Sequence, residues 1–193
     1  MAIDAFLDFT KQHQVQNLYG EALDNHFKNC FHVKTFTFAI TQKGTAATGT
    51  GLGAGKAEFD DFEFTIDTQL GSAKLMRECA RGTCFDVVVL SVRKAGGGQR
   101  EYLRYVFGNC IISSYSTSGD EESSDTVKFN YRRIATKYYR QLPDNNEGEL
   151  DLNSQDGKSE GSYDLKTNAE WAPGDYMKYM SDMQTAAAAA TVL

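Results

Sequence analysis

The stretch "CFDVVVLSVRKAGGGQREYLRYVFGNC", residues 84–110, decides the fold class of this chain of 193 residues. β-Branched and aromatic residues are frequent in both of its arms, as they are in β-strands. Three consecutive glycines at residues 96–98 separate the arms, and glycine supplies the backbone freedom that a turn needs. The stretch therefore predicts a β-hairpin of two paired strands.

Further strand patterns lie on both sides of this hairpin. On the C-terminal side, "IISSYSTS" extends the second arm. After an acidic turn, "GDEESSD", apolar and polar residues alternate from Val127 to Tyr139, which predicts the last strand. On the N-terminal side, "AIDAFLDF", "FHVKTFTFAI" and "AEFDDFEFTIDTQ" predict three more strands.

The strand predicted at residues 31–40 has two different faces, because successive side chains of a strand point to opposite sides. One face carries Phe36, Phe38 and Ile40, and we predict that it belongs to the core. The other face carries Thr35, Thr37 and Val33. The side chains of this second face are small and only moderately polar, so we expect them to contact water or a partner.

The segment "GSAKLMRECARG" predicts the one helix of the body. Ser72 is a candidate N-cap and Gly82 a candidate stop. Leu75, Met76 and Cys79 form a candidate apolar stripe. Many strands and one helix predict a mainly β protein, with a small closed or nearly closed barrel or sandwich and the helix at its side.

Composition excludes several function classes. The formal net charge is −6, with 26 acidic and 20 basic residues, which argues against a partner that is a nucleic acid. The N-terminus lacks the pattern of a signal peptide, and the longest aliphatic run of the body, "VVVL", is too short for a membrane anchor. We therefore expect a cytoplasmic protein. The four cysteines have no C-x-x-C spacing and are interpreted as buried free thiols rather than a zinc site.

No pattern of residues predicts catalysis, a cofactor or a metal. The glycine-rich "GTGLGAGK" at residues 49–56 fails as a phosphate loop, because Thr50 replaces the first glycine and Ala57 replaces the hydroxyl residue. A loop between two strands is the better interpretation. Asp60 and Asp61 are adjacent, so a strand would point them to opposite faces. The three histidines are interpreted as surface residues.

Two other polar patterns have structural interpretations. The basic cluster of Arg132, Arg133, Lys137 and Arg140 is expected to be exposed on the last strand, or to pair with acidic residues of a neighbouring subunit. The segment "DLNSQDGKSEGS" from Asp151 places its glycine and its last ligand wrongly for a calcium loop, so it is interpreted as a linker.

The chain after residue 142 differs in character from the rest. Residues 143–193 are predicted to form a C-terminal extension, made of the linker and a candidate helix that begins near Pro173. Candidate docking residues on this helix are Tyr176, Tyr179, Met180 and Met183. The extension could dock along the outside of its own subunit, cap one face of an assembly or serve as a fused cargo handle, and we favour the first two.

The segment "SAKLMRECARGTCFDVVVLSVRKAGGGQREYLRYVFGNCIISSYSTSG" resembles the Hcp (hemolysin-coregulated protein) family, whose members form the tube of bacterial type VI secretion. Within it, "VRKAGG", "EYL" and "SSYSTSG" in this order are highly specific. "MAIDAF", "GEALDNHF" and "AGKAEFDDFEFTID" match as well. The resemblance covers residues 1–142, which it implies to be one Hcp-like tube domain.

The resemblance implies a compact β-barrel of two antiparallel sheets with one flanking α-helix. It implies homohexameric rings that stack into a tube, with sheath, spike and effector proteins as partners. It implies no enzyme activity and no cofactor. It also implies that the protein is cytoplasmic during assembly and is then secreted by the machine itself without a signal peptide.

The resemblance further assigns roles to two sets of residues. Thr35 and Thr37 match positions that face the channel of the ring. The predicted loop at residues 44–56 matches a long loop that contacts a neighbouring ring. Its candidate stacking residues are Gly44, Thr48, Gly49, Gly51, Gly53, Gly55 and Lys56. Two other functions stay open: a single-ring carrier or chaperone for effectors, and a tail-tube protein of a related contractile injection particle.

Overall fold

The computed structural model describes residues 3–9, 18–45, 53–94, 100–119, 122–141 and 157–181. Strands form most of this part of the chain, which confirms the prediction of a mainly β protein. The strands are β1 (Ile3–Asp8), β2 (Phe31–Val33), β3 (Thr35–Thr37), β4 (Ile40–Thr45), β5 (Gly53–Phe59), β6 (Phe62–Asp67), β7 (Cys84–Lys94), β8 (Glu101–Gly119), β9 (Ser123–Tyr139) and β10 (Lys158–Asp164). The helices are α1 (Ser72–Arg81) and the short α2 (Pro173–Tyr176), which continues as a 3-10 turn at Met177–Tyr179.

Eight strands form one antiparallel sheet that nearly closes into a barrel. Its order is β2-β1-β7-β8-β9-β6-β3, and β10 also pairs with β9. The two end strands of this order, β2 and β3, are separated in the chain by Lys34 alone. Residues 31–37 therefore pair first with β1 and then with β6. This one segment joins both ends of the sheet, and closure removes the exposed edges that an open sheet would have.

Aromatic side chains fill the interior of the barrel. Seven fully buried phenylalanines come from the body: Phe9, Phe31, Phe62, Phe64, Phe85, Phe107 and Phe129. The ring of Phe62 lies 4.8 Å from that of Phe107 and 5.0 Å from that of Phe129, centroid to centroid. Burial of each such side chain stabilises the fold by roughly 1.5–3 kcal/mol, so this cluster dominates the hydrophobic contribution of the barrel.

The predicted hairpin of residues 84–110 is confirmed, but two of the other predicted strands are interrupted in the structure. β7 pairs with β8, and β8 runs on to Gly119 as predicted. The strand predicted at residues 31–40 is wrong, because the chain bends at Lys34 and ends β3 at Thr37. As a result Val33 is buried, Phe36 and Phe38 are only half-buried, and Ile40 is 50% exposed.

The other broken strand lies at residues 57–69. Asp60 and Asp61 connect β5 to β6 instead of lying within one strand. Asp61 accepts hydrogen bonds from the Nδ2 group of Asn130, at 2.9 Å, and from the hydroxyl of Ser113. Both aspartates therefore have a structural position at a bend, because the chain leaves the hairpin there and enters the barrel.

Helix α1 covers the barrel and ends as predicted. Gly82 adopts a left-handed conformation with φ of 63°, which terminates the helix. Ser72 is not the N-cap that we predicted, because it is the first helical residue and its Oγ accepts the Gln69 N–H. Leu75 is fully buried, whereas Met76 is 53% exposed, so the predicted stripe is wrong at Met76.

The loop before β2 is closed by its own backbone. The N–H of Gly20 donates to the Asn29 carbonyl at 2.8 Å, and the N–H of Ala22 donates to the Cys30 carbonyl at 3.1 Å. A Cβ atom on Gly20 would overlap the Cys30 carbonyl group and the Phe31 backbone. Only glycine therefore allows the two sides of this loop to lie so close together.

We expect Gly20→Ala to lower the free energy of unfolding by about 2 kcal/mol, because its methyl group must displace backbone rather than a mobile side chain. Chemical denaturation monitored by circular dichroism measures the change. Gly119→Ala is the matched control, since a Cβ atom there meets nothing within 4 Å. Equal stability of the two variants would contradict the close contact at Gly20.

Candidate assembly surfaces

The predicted stacking loop is largely a second, two-stranded sheet. β4 and β5 pair with each other, with Gly44 opposite Ala54 and Thr45 opposite Gly53. Gly53, Gly55 and Lys56 therefore belong to a strand, and the prediction of a loop across the whole of residues 44–56 is wrong. Thr48, Gly49 and Gly51 lie outside the described residues. Glycine is unfavourable inside a strand and often marks a bulge, and the register of β4 and β5 shifts between Gln42 and Gly44.

Thr35 and Thr37 lie on an exposed surface of short polar side chains. The cross-strand pairs place Thr35, Thr65, Thr126 and Ser116 opposite one another in a row over β3, β6, β9 and β8. The Oγ1 atoms of Thr35 and Thr65 are 2.6 Å apart. The next row contains Thr37 and Ser114 with an ion pair between Glu63 and Lys128. We call the six hydroxyl residues of these rows the hydroxyl face.

The C-terminal segment, residues 157–181, joins the barrel at one edge. β10 pairs antiparallel with the second half of β9, from Lys158 opposite Tyr139 to Asp164 opposite Arg133. β6 occupies only the first half of the same edge, from Phe62 opposite Phe129 to Asp67 opposite Ser124. The linker prediction is therefore wrong for residues 158–164, which form a strand that covers the rest of the β9 edge.

Beyond β10 the segment packs on the outside of the barrel. Trp171, Tyr176 and Met180 are buried there, and Tyr179 is half-buried. They cover an apolar strip of the outer sheet surface, made of Val87, Val89, Val106, Ala135 and Tyr139. Gly108 leaves room for the indole, since a Cβ atom there would lie 3.0 Å from Cη2 of Trp171. Met183, the fourth predicted docking residue, lies outside the described residues.

Charged groups fix the C-terminal segment in place. Asp164 accepts hydrogen bonds from Nε of Arg133 at 2.7 Å and from Nη2 of Arg132 at 3.1 Å. Lys137 pairs with Glu160 at 3.0 Å. Arg132, Arg133 and Lys137 therefore pair with acidic residues of the same chain, which corrects the prediction for these three residues, whereas Arg140 is exposed as predicted.

A buried ion pair holds the last turn of the segment. Arg104 forms a bidentate contact with Glu101, and both side chains are at least 95% buried. The Nη1 group of Arg104 also donates to the Tyr179 carbonyl at 2.7 Å. Because a buried charge is costly unless it is hydrogen-bonded, this contact stabilises both the ion pair and the position of the Tyr179 carbonyl.

The electrostatics of Asp164 depend on the two arginines. Burial alone would raise the pKa of this carboxyl group. Hydrogen bonds from Arg132, Arg133 and the Lys166 N–H outweigh that effect and lower the pKa to about 2. A group whose pKa is lower in the docked state stabilises that state above its ordinary value of 3.8, and the stabilisation is lost as the pH falls towards 2.

Trp171 is the single tryptophan of the chain, so its fluorescence reports on the docked segment. We expect its emission to shift to longer wavelength as the pH falls from 4 to 2, because protonation of Asp164 weakens its contacts. Asp164→Asn should show the weaker docking already at neutral pH and a smaller dependence on pH in this range. An unchanged pH profile in Asp164→Asn would contradict the role of the carboxylate.

A chain that ends after Gln141 should be poorly soluble, because it exposes both the second half of the β9 edge and the outer apolar strip. Size-exclusion chromatography of the soluble fraction measures the loss. A chain that ends after Ser181 is the control and should remain soluble and folded. Equal solubility and thermal stability of the two truncated chains would show that the segment does not protect the barrel.

The remaining candidate residues are the histidines, the cysteines and the acidic side chains. Within the described ranges, no three His, Cys, Asp or Glu side chains are grouped so that they could hold a metal ion. His26 and His32 are exposed, and His13 lies outside those ranges. Cys30 and Cys110 are buried free thiols as predicted, whereas Cys84 is exposed. In the same part of the chain, no helix combines the length and the apolar character needed to cross a bilayer.

Comparison with known proteins settles the family. A protein-family model described as "Type VI secretion system effector, Hcp" matches residues 6–138, from β1 to the end of β9. The chain belongs to the Hcp family. It is therefore a type VI secretion protein of the tube type, and its family consists of secreted structural proteins rather than known enzymes.

Individual Hcp proteins are similar to this chain over most of its length. "Protein hcp1" of Pseudomonas aeruginosa is 29% identical over 148 residues, which are 75% of this chain and 88% of that protein. The crystal structure of Hcp1 from Salmonella typhimurium has a TM-score of 0.67 at 27% identity and covers 89% of this chain and 100% of that one. A solved structure described as a type six secretion system protein has a TM-score of 0.75 at 24% identity, with coverage of 88% and 100%.

The similarity to the Salmonella Hcp1 structure extends beyond the barrel. A coverage of 89% is more than residues 1–156 of this chain can supply, so it includes part of the C-terminal segment. The family model ends at residue 138.

Sequence reasoning missed the residues that attach this segment, namely Trp171, Asp164 and the Arg104–Glu101 pair. The sequence of the β7–β8 hairpin did contain one indication that a further segment covers the barrel. The run "VVVL" is apolar at every position, and a strand with that pattern is buried on both faces. Val88 and Leu90 pack inside the barrel, and Val87 and Val89 pack under the C-terminal segment.

Proposed function

We propose that this Hcp-family chain is a structural subunit of the type VI secretion inner tube. In this proposal six copies form a ring, rings stack into a tube, and the protein catalyses no reaction. The main support for it is the family match over residues 6–138, which runs from β1 to the penultimate residue of β9. Sheath, spike and effector proteins are the partners, and the tube is assembled in the cytoplasm before the machine secretes it.

The hydroxyl face is suited to line the channel of such a ring. Thr35 and Thr37 are exposed, and their neighbours across β6, β9 and β8 are short hydroxyl residues or the compensated pair of Glu63 and Lys128. A surface without large apolar groups or uncompensated charge offers weak, nonspecific contacts to a passing protein. Effectors could therefore reside in the channel and leave it without a large energetic cost.

The β4–β5 hairpin is suited to contact a neighbouring ring. Among the described residues, its strands pair only with each other, so the hairpin has no ladder contact with the barrel sheet. Gly44, Gly53, Gly55 and Lys56 of its strands would take part in this contact, together with Thr48, Gly49 and Gly51 of the segment that follows β4 in the sequence. The docked C-terminal segment, with Tyr176, Tyr179 and Met180, would stabilise the outside of each subunit.

Negative-stain electron microscopy of the full chain tests this function. We expect rings with six-fold symmetry and an open channel, and stacks of rings at high protein concentration. A variant with residues 46–52 replaced by Asn-Gly keeps the paired strands and provides a two-residue hairpin turn. It should form rings that stack less, because residues 46–52 are lost and the barrel is unchanged.

A matched control replaces residues 95–99, which link β7 to β8 in the sequence, with the same Asn-Gly pair and should stack as the wild type does. Rings that bind effector proteins but never stack would favour a single-ring carrier instead. Monomers under all conditions would contradict both the tube and the carrier. Equal stacking of the 46–52 variant and the wild type would show that residues 46–52 do not take part in the contact between rings.

A further inference from the structure

An open apolar cleft of about 530 Å³ lies between the β4–β5 hairpin and the barrel sheet. None of the described residues that line it carries a charge, and its apolar lining consists of Phe38, Ile40, Phe59, Tyr105, Ile134 and Tyr163. Protein interiors are close-packed, so a space of this size between two parts of one chain is an unfilled contact surface. A charge buried there without a partner would be costly, so the cleft suits an uncharged segment with small or apolar side chains.

The cleft reaches the place where the C-terminal segment joins the barrel. Strands β5 and β10 both contribute to its lining, and in the described part of the chain no ladder joins these two strands. Ser162 of β10 belongs to the lining, and its hydroxyl donates to the Trp171 carbonyl at 3.0 Å. The cleft therefore extends to the edge at which the chain turns onto the outer surface of the sheet.

The sequence after the C-terminal segment matches the cleft in chemistry. Residues 183–193, "MQTAAAAATVL", contain no charged side chain and include the apolar Val192 and Leu193. Residues 142–156, which precede β10, are acidic instead, with Glu147 and Glu149 among them. An uncharged cleft would leave such carboxylates without a partner. The charge pattern therefore selects the residues that follow the C-terminal segment and not those that precede it.

The C-terminal segment also brings the chain close enough to the cleft. The Tyr179 carbonyl is held by Arg104 of β8, at 2.7 Å from its Nη1 group. Arg104 lies opposite Lys137 of β9, which lies opposite Glu160 of β10, so β10 is two strand spacings away. With ~4.8 Å per strand and a passage round the β10 edge, the path from the carbonyl to the cleft is on the order of 30 Å. Residues 182–193, which lie outside the described residues, span up to about 40 Å when extended.

We propose that residues 186–193 pass round the edge of β10 and occupy the cleft of their own subunit. The alanine run crosses the edge, and Val192 and Leu193 fill the aromatic lining. Covalent attachment gives the tail an effective concentration on the order of millimolar, so a modest apolar contact is sufficient. The docked tail contacts the hairpin and the barrel together, and it holds the hairpin at the sheet. The contact lies within one copy, so it does not depend on the proposed function.

Disulfide trapping tests the position of the tail. Ala57→Cys places a thiol in the lining and Val192→Cys places one on the tail, in a chain in which Cys84→Ser removes the exposed native thiol. We expect this pair to form an intramolecular disulfide roughly tenfold faster than the control pair of Gly174→Cys and Val192→Cys. Gly174 is exposed and closer to Val192 in the sequence, so a tail without a preferred site would favour the control pair.

Binding of Nile red, an uncharged apolar dye, measures whether the cleft is occupied. Val192→Asp with Leu193→Asp places two charges on the tail, and we expect dye fluorescence to rise roughly fivefold because the apolar lining becomes accessible. Gln184→Asp with Thr185→Asp adds the same charge before the cleft and should bind as little dye as the wild type. Gly161→Leu, added to the first variant, should abolish dye binding because the new side chain fills the cleft.

The outcomes distinguish the possible occupants of the cleft. A fast intramolecular disulfide, with dye binding only after charges are placed at Val192 and Leu193, would support the docked tail. Equal rates for the two cysteine pairs would overturn it. A disulfide that joins two chains would overturn it as well, because the tail would then belong to a neighbouring copy. Wild-type dye binding that Gly161→Leu abolishes would also overturn it and leave the cleft to a separate apolar ligand.

The variants must keep the fold for these outcomes to count. Thermal unfolding verifies the barrel in each variant, and Trp171 fluorescence verifies the docked position of residues 157–181. Gly174→Leu is the matched control for Gly161→Leu, because a Cβ atom on Gly174 meets nothing within 4 Å. Added to the variant with charges at Val192 and Leu193, it should leave dye binding unchanged. Loss of dye binding with Gly174→Leu would place the dye outside the cleft and overturn the inference.

Discussion

The closure of the barrel by residues 31–37 is the constraint on which the rest of the structure depends. Lys34 is the single residue between the strand that pairs with β1 and the strand that pairs with β6. Its N–H donates to the Thr65 carbonyl at 2.8 Å, so the bend itself continues the ladder with β6. Phe31 and Val33 on one side of the bend point into the aromatic core. The same closure leaves Thr35 and Thr37 on the exposed surface.

A second consequence concerns the long strand β9. It is longer than its neighbour β6, so only its first half is paired at that edge by the body of the barrel. β10 occupies the second half, and the residues after it cover the outer apolar strip. One segment thus covers an open strand edge and an apolar surface together, which is why the C-terminal segment belongs to the barrel sheet although it follows the barrel in sequence.

Local patterns in the sequence were enough to predict the β7–β8 hairpin, the extension of β8, β9 and the end of α1 at Gly82. Each of these depends on residue types that are close together in the chain. The family could be identified for the same reason, since "VRKAGG" and "SSYSTSG" belong to this hairpin and its extension. The alternation in residues 31–40, by contrast, predicted one strand, because the bend at Lys34 is imposed by closure between distant strands and not by a turn signal.

The C-terminal segment was harder to predict for a physical reason. The strand "KSEGSYD" has little apolar alternation, because its position is set by backbone hydrogen bonds to β9 and by the pairing of Asp164 with Arg132 and Arg133. Neither the free edge nor the arginines can be recognised as partners until β9 has been placed. The hydroxyl face shares this property, because it combines residues of β3, β6, β8 and β9 that only the folded barrel brings together.

The place of β10 at the end of the chain also has a consequence for biosynthesis. A ribosome adds ~5–20 residues per second, so β9 leaves it before β10 exists, by a delay on the order of one to a few seconds. During that interval the nascent barrel has an unpaired strand edge beside an uncovered valine surface. On a polysome, neighbouring nascent chains display the same edge at high local concentration. The order of synthesis therefore makes the last strand the step at which productive folding and association between unfinished copies compete.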